Sequence, residues 1–498
     1  VLVVKHEDAL AQLLRDYRDA KLSRREVMIR AAALGVSASA LSGLLLAARP
    51  ERVAAVPARQ DEPKPGGTLR EGYDLDFSRM DPIRADWYDP GFNALYEAII
   101  TSDPDNNLVP QIAESWTVSD DGTSVTFTLR SGLTFHSGAP LNAAAIKAVY
   151  DAIKDPASGS PLSALFIPVS SIEAPDETTL TITMEHPYYE VLHVVKTGYW
   201  AIVNMVKWTE LGAEYGKQVI DGNGPFTFVE WVPGSHVSVQ RWEEYPGSIV
   251  PFFKNKGKAY LDGIRWEAIL EAAQRAIRIE NGELDALHGP AFQDVARLQG
   301  NSDLNVIKLK EWSGWILGAN FVRTDLDFDK LEMRQAMSAA INRDAIATAL
   351  LFGEGEPLYG PVVSADSGYT TDVEQYNQFN LDAAKSLVAG LGWTAGDDGI
   401  LTKNGVRMAF TMIIQAESFN QQLATVVQDQ LKQLGMEVTI EAYDRGTYFN
   451  NLFSYESDAY IFYYLWPVPV DVVILFVTPG SSPNWQKADV AEVNDAVT

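Results

Sequence analysis

Between residues 408 and 443, two strand-length apolar runs, 408–414 and 438–443, flank a run with helical spacing, 421–434, and only short loops separate them. Strands joined through a helix by connections this short belong to a parallel or mixed sheet with helices on its face. Signals elsewhere agree. Gly66, Gly67 and Thr68 open a strand. Residues 116–119 and 125–130 alternate about the Asp120-Asp121-Gly122 turn as a hairpin. Asn142 caps a helix over 143–153. Residues 178–185, 226–231 and 236–242 read as strands, 92–100 as helix or strand, and 315–321 as a buried strand. Helical runs cover 272–279, 330–341, 343–351 and 381–391, the last closed by Gly392. No repeat and no second membrane-length apolar run is present.

The first 65 residues read differently. A charged helix spans 2–22; then come Arg24, Arg25 and Arg30, and an uncharged run, 31–48, rich in Ala, Ser, Gly and Leu. That run is about long enough to span a bilayer but only mildly apolar. Basic residues, an apolar run and then small residues form the layout of an export signal. The adjacent pair Arg24 and Arg25 gives it the look of a twin-arginine signal, which exports proteins already folded. A permanent anchor is the competing reading; low hydropathy and the small residues Ala54, Ala55 and Ala58 favour cleavage. Residues 1–58 are read as this signal with an extended charged leader, and 59–65 as a linker. The expected location is periplasmic or cell-surface.

Composition and motifs exclude much chemistry. The chain has no cysteine, which removes disulfides, thiol nucleophiles, cysteine-bound zinc, iron–sulfur clusters and a lipid-bearing cysteine. Acidic residues number 66 against 40 basic ones, a net charge of −26. Nucleic-acid binding draws its affinity from Lys and Arg, so that partner is not expected. His6, His136, His186, His193, His236 and His288 show no metal-ligand spacing and read as surface or packing residues. No nucleophile elbow is present. The glycine-bearing stretch 212–217 is one residue short of a phosphate loop and lacks its Ser or Thr. The expectation is a protein that is not an enzyme and holds no cofactor or metal.

Aromatic residues are plentiful: 12 Trp, 20 Tyr and 20 Phe. Tyr73, Trp87, Tyr88, Trp312, Trp315 and Tyr359 stand where loops are expected, and such rings suit sites that hold small ligands by stacking and shape. Each taken singly is as readily a core residue. Residues 460–466 read as a buried strand that delivers Trp466 to a loop, with Asp471 following as an anchor for a ligand cation.

A longer pattern unites these features. Ala113 and Trp116, Asp121-Gly122, Phe127, Leu129-Arg130, Gly132, Phe135-His136 and Gly138 match an A-x-x-W … DG … F-x-L-R-x-G-x-x-F-H-x-G block. Further matches are Gly222 to Phe226 with Trp231 and Gly234; Leu261 to Ile264 with Asn281 to Asp285; Asn320-Phe321 with Met333 to Met337 and Ala340 to Arg343; and Asn380 to Lys385 with Gly392-Trp393. On these stretches residues 66 to 498 resemble the family 5 extracellular solute-binding proteins, which serve dipeptide, oligopeptide and nickel importers.

The resemblance implies an α/β, two-lobed periplasmic-binding-protein fold of type II, the large cluster C kind, with mixed sheets and flanking helices. Lobe 1 would cover 66–310 with an inserted subdomain near 97–195, lobe 2 would cover 311–490, and the solute would lie between them. It implies the substrate-binding component of an ABC importer, most readily for a peptide, acting as a monomer with permease subunits as partners. Placement at the lobe interface makes Tyr73, Trp312, Trp315, Tyr359, Trp466 and Asp471 the expected ligand-binding residues. Asp471 falls close to an aspartate that pairs with the peptide amino group in dipeptide-type members, although Trp466 to Val470 departs from the family's usual polar loop. Residues 491–498 correspond to the start of a return to lobe 1, and the expectation is a chain cut short there. The alternatives are a receptor for an oligosaccharide, opine or metal chelate and, in another class, an exported hydrolase.

Overall fold

The computed structural model describes residues 63–77, 80–85, 90–104, 107–160, 162–188, 191–196, 201–309, 313–360, 362–364, 369–454, 457–465 and 484–490. The chain divides into two compact units, Val1–Lys64 and Pro65–Thr498. Strand β1 (Thr68–Tyr73) is followed by the hairpin β2 (Ala113–Val118) and β3 (Ser124–Leu129), helix α1 (Ala143–Lys154), β4 (Val169–Glu173) and β5 (Thr179–Met184). Next come β6 (Phe226–Val232), β7 (His236–Arg241), β8 (Gly263–Ala268), α2 (Ala272–Glu280), β9 (Ala286–Leu287) and α3 (Phe292–Gln299). The last group is β10 (Ser313–Ala319), α4 (Leu331–Ala340), α5 (Arg343–Leu350), α6 (Leu381–Gly390), β11 (Ala409–Gln415), α7 (Ser418–Leu434), β12 (Glu437–Tyr443), α8 (Arg445–Ser454) and β13 (Ala459–Leu465).

Three larger sheets result. The first has the order β9-β1-β8-β7-β6, with β1 parallel to both β8 and β9. The second has the order β2-β3-β5-β4 and is antiparallel. The third has the order β10-β13-β11-β12, with β11 parallel to β12 and β13 and only β10 reversed. One core, from Tyr73 to Trp266, lies under the first two sheets, and another, from Leu326 to Ile461, lies under the third. Helix α7 buries Leu423, Ala424, Val427, Leu431 and Leu434; that spacing is one face of a helix laid on a sheet. The expected β-α-β unit is therefore β11-α7-β12.

The residues that carried the sequence pattern bind the framework together. Asp262 exchanges main-chain and side-chain bonds with Gly67, both 2.9 Å. Asp285 takes two guanidinium bonds from Arg70 at 2.9 Å. The His136 main-chain N–H donates to Gly222 O, its Nδ1 accepts from Gly222 N, and Nε2 lies 3.0 Å from Gly224 O. That arrangement places the proton on Nε2, and burial pushes this imidazole below the usual histidine range. Asn142, Asn342 and Asn380 cap α1, α5 and α6. Trp393 Nε1 donates to Asp327 at 2.7 Å. Strand β10 begins at Ser313, earlier than the expected Trp315, and it is half-buried at every position but Gly314. Among the described residues it is the outer strand of its sheet, paired with β13.

At the junction of the first and second sheets the Glu97 carboxyl is buried, takes a hydrogen bond from the Tyr245 hydroxyl and lies near Arg130, which donates to Gly247 O at 2.7 Å. Burial outweighs both partners and pushes the carboxyl up to about 7. A carboxyl whose value rises on folding favours the folded state at low pH, and that gain is lost as pH climbs from the unfolded value through about 7. Glu97→Gln is thus expected to be more stable than the parent at pH 8 by about 2–3 kcal/mol in urea unfolding, with the difference shrinking toward zero near pH 4.

Candidate functional site

Parallel pairing fixes where a site can form. In the first sheet β1, β8 and β9 end together at Tyr73, Ala268 and Leu287. In the third, β11, β12 and β13 end at Gln415, Tyr443 and Leu465, and β10 starts there, with Ser313 opposite Leu465. Ligands of sheets built this way bind outside the carboxyl ends of the strands.

At the first sheet's edge, the Tyr73 ring is buried, 5.8 Å from Phe77 and 5.1 Å from the His288 ring. His288 Nδ1 lies 3.0 Å from Asp74 Oδ1, and its main-chain N–H donates to Gly72 O at 2.9 Å. Gly289 follows with φ +62°, and a Cβ there would come within 2.2 Å of Asp74 Oδ2. Only glycine fits a left-handed turn pressed so closely against a carboxylate. Below, the buried Arg275 guanidinium holds the carbonyls of Leu270 at 3.0 Å and Gly289 at 2.6 Å. This turn leads directly into Phe292, the first residue of α3.

At the third sheet's edge, Trp315 is the centre of a group of rings. Its centroid lies 4.6 Å from Phe419, 4.6 Å from Tyr463 and 6.4 Å from Phe292, and Phe292 is 5.5 Å from Phe419. Trp315 Nε1 donates to the buried Asn420 Oδ1 at 3.2 Å. Asn420 Nδ2 donates on to Glu417 at 3.4 Å, and Gln415 Nε2 donates to the same carboxylate at 2.8 Å. Solvent reaches Glu417, yet protein surrounds it on several sides. That desolvation comes first, the Asp74 charge second, in holding its carboxyl above the usual range, while Arg445 acts the other way.

Of the six residues expected at the site, Tyr73 and Trp315 stand on either side of the segment 286–292. Tyr359 lies near the start of β10: its neighbour Leu358 fills the space beside Gly314, and its hydroxyl donates to Asp344 at 3.2 Å. Trp312, Trp466 and Asp471 lie outside the described residues, as do Arg24 and Arg25 of the export signal and Trp87 and Tyr88. Sequence reasoning did not single out Asp74, His288, Phe292, Glu417 or Phe419. The Gly289-Pro290 turn and the position of Glu417 just past an apolar strand are the signals that point to them. Among the described residues no group of three or more His, Asp or Glu is placed to hold a metal ion, and no helix is long and apolar enough to cross a membrane.

Known proteins share this architecture. The family model for bacterial extracellular solute-binding proteins, family 5 Middle, matches residues 107–484. The glutathione-binding protein GsiB of Pectobacterium atrosepticum is 26% identical over 356 residues, 71% of this chain and 64% of that protein. The chain thus spans a little under two thirds of the length of this curated relative. Among solved structures, the oligopeptide-binding protein AppA from Bacillus subtilis in complex with a nonapeptide superposes with a TM-score of 0.75 at 22% identity, over 88% of this chain and 87% of that one. The binding protein AgaA from A. tumefaciens R10 in complex with agropinic acid superposes with a TM-score of 0.71 at 23% identity, over 86% and 85%. These superpositions show the two-lobed α/β periplasmic-binding-protein fold.

Trp315 makes two close ring pairs within the third sheet's edge and one hydrogen bond. Each ring pair is worth about 0.5–1.5 kcal/mol and the bond about 1 kcal/mol. Trp315→Ala is expected to cost about 2–3 kcal/mol in chemical denaturation, and Tyr359→Phe, which removes one exposed bond, less than about 1 kcal/mol.

Proposed function

The chain belongs to family 5 of the bacterial extracellular solute-binding proteins, and on that footing we propose that it is the substrate-binding component of an ABC import system that captures a peptide between its two lobes. One observation carries this reading: two separate mixed sheets each end in an aromatic and acidic group, Tyr73, Asp74 and His288 on the first and Trp315, Glu417 and Phe419 on the third, and Phe292 joins them by packing on Trp315 and Phe419. The rings offer stacking area, and the carboxylates and exposed main chain offer hydrogen bonds, which is what a receptor that releases its cargo unchanged requires.

In this proposal lobe 1 is 66–310 with an insert near 97–195, and lobe 2 is 311–490. Residues 301–309, exposed along most of their length, lead from one to the other and let the lobes hinge. Tyr73, Trp312, Trp315, Tyr359, Trp466 and Asp471 line the space between them, and Asp471 meets the peptide amino group. The solute passes to permease subunits in the membrane. Export through Arg24 and Arg25 delivers the folded protein, a monomer, to the periplasm or cell surface.

Two measurements check this. In thermal unfolding of the purified protein, di- to octapeptides and glutathione are expected to raise the melting temperature by several degrees at saturating concentration, since a ligand at a hundred times its Kd adds about 2.7 kcal/mol. A shift produced only by sugars, opines or nickel chelates would replace the cargo, and turnover of a compound would replace the receptor by a hydrolase. In the native host, a double Arg24→Lys, Arg25→Lys change is expected to leave the protein in the cytoplasmic fraction and its peptide-induced shift unchanged.

A further inference from the structure

The ring of Phe292 is the first side chain of a lobe 1 helix, and the rings it meets, Trp315 and Phe419, belong to lobe 2. It is held there by rigid parts. Upstream, Gly289 O is fixed by Arg275 and the His288 N–H by Gly72 O; downstream, α3 buries Val295 and Leu298. The receiving rings are equally fixed: Phe419 lies in the first turn of α7, and Trp315 is bonded to Asn420 and stacked on Tyr463. We propose that Phe292 is an interlobe latch: packed against Trp315 and Phe419, it stabilises the closed arrangement of the lobes and so sets how much of the protein is ready to hold cargo.

The proposal rests on the two-lobed receptor reading, and its consequences follow from a two-state equilibrium. A solute that binds the closed form has an apparent Kd equal to the intrinsic value divided by the closed fraction. Losing the ring pairs with Trp315 and Phe419 lowers that fraction. The half-buried ring meets two rings, and both belong to lobe 2, while its own helix belongs to lobe 1. The Asp74 charge raises the Glu417 carboxyl and Arg445 acts the other way.

The chain's lack of cysteine makes the test direct. Spin labels on Gln240→Cys and Lys432→Cys, both exposed and one on each lobe, report the interlobe distance in the empty protein by pulsed electron resonance. Phe292→Ala and, from the other side, Phe419→Ala are each expected to shift the distribution to longer distances, and Phe292→Tyr to restore it. With glutathione and an alanine tripeptide as probes, Phe292→Ala is expected to weaken binding about tenfold, the factor that 1.4 kcal/mol represents. An unchanged distance distribution in both alanine variants overturns the latch, whether or not any peptide binds. Tighter binding by Phe292→Ala also overturns it, since the ring would then be an occupant of the solute's own place. Failure of every peptide to bind while the distances shift leaves the latch standing and removes the peptide reading instead.

Discussion

The parallel pairing of β1 with β8 and β9, and of β11 with β12 and β13, is the constraint from which the functional surface follows. Parallel strands end on one side, so each sheet collects its loops along a single edge. In the first sheet that edge gathers Tyr73, Asp74 and His288; in the third it gathers Glu417, Arg445 and Tyr463, and the reversed β10 adds Trp315 from its own beginning. Residues more than a hundred positions apart, Tyr73 with His288 and Trp315 with Phe419 and Tyr463, come within ring contact at these edges. Had β1 paired with β8 in the opposite sense, Tyr73 and Asp74 would lie at the far edge and no shared surface would form.

The framework beneath is held by bonds that leave this edge free. Asp262 and Asp285 fasten the start of β1, the His136 imidazole ties the second sheet's subdomain to the glycine turn before β6, and Asp327 receives Trp393. His136, Asp327 and Trp393 are buried or half-buried and Asp262 and Asp285 are exposed, and together their bonds specify one arrangement of the sheets. Glu97 is the exception, since burial raises its carboxyl to about 7 and sets folding against ionisation near neutral pH. The edge itself is built on hydrogen-bonded turns and packed rings, and such preorganisation lowers the entropic cost of binding a solute.

Much of the fold was legible in the sequence because its signals are local. The β11-α7-β12 unit, the β2-β3 hairpin about Gly122 and the cap at Asn142 rest on periodicity and turn chemistry within a few residues. Strand β8 and helices α3 and α8 were not legible: β8 draws its stability from pairing with β1, nearly two hundred residues earlier, and no local pattern reports that. The surface was legible only in part. Trp315 and Tyr73 stood out as aromatic residues near expected loops. Phe292, Glu417 and Phe419 did not, because a phenylalanine at a helix start or a glutamate after a strand is ordinary until another sheet's edge is placed opposite. The residues of the longest sequence pattern proved to be framework, so that pattern identifies the family and says little about the cargo.

The central claim is that one solute engages the edges of both sheets at once. Hydrogen–deuterium exchange of the full chain, with and without a solute that raises its melting temperature, measures this directly. The account predicts added protection in 286–292 and in 415–420 together, with the outer parts of the second sheet unchanged. Protection confined to one of those segments, or arising only in the second sheet, would contradict it.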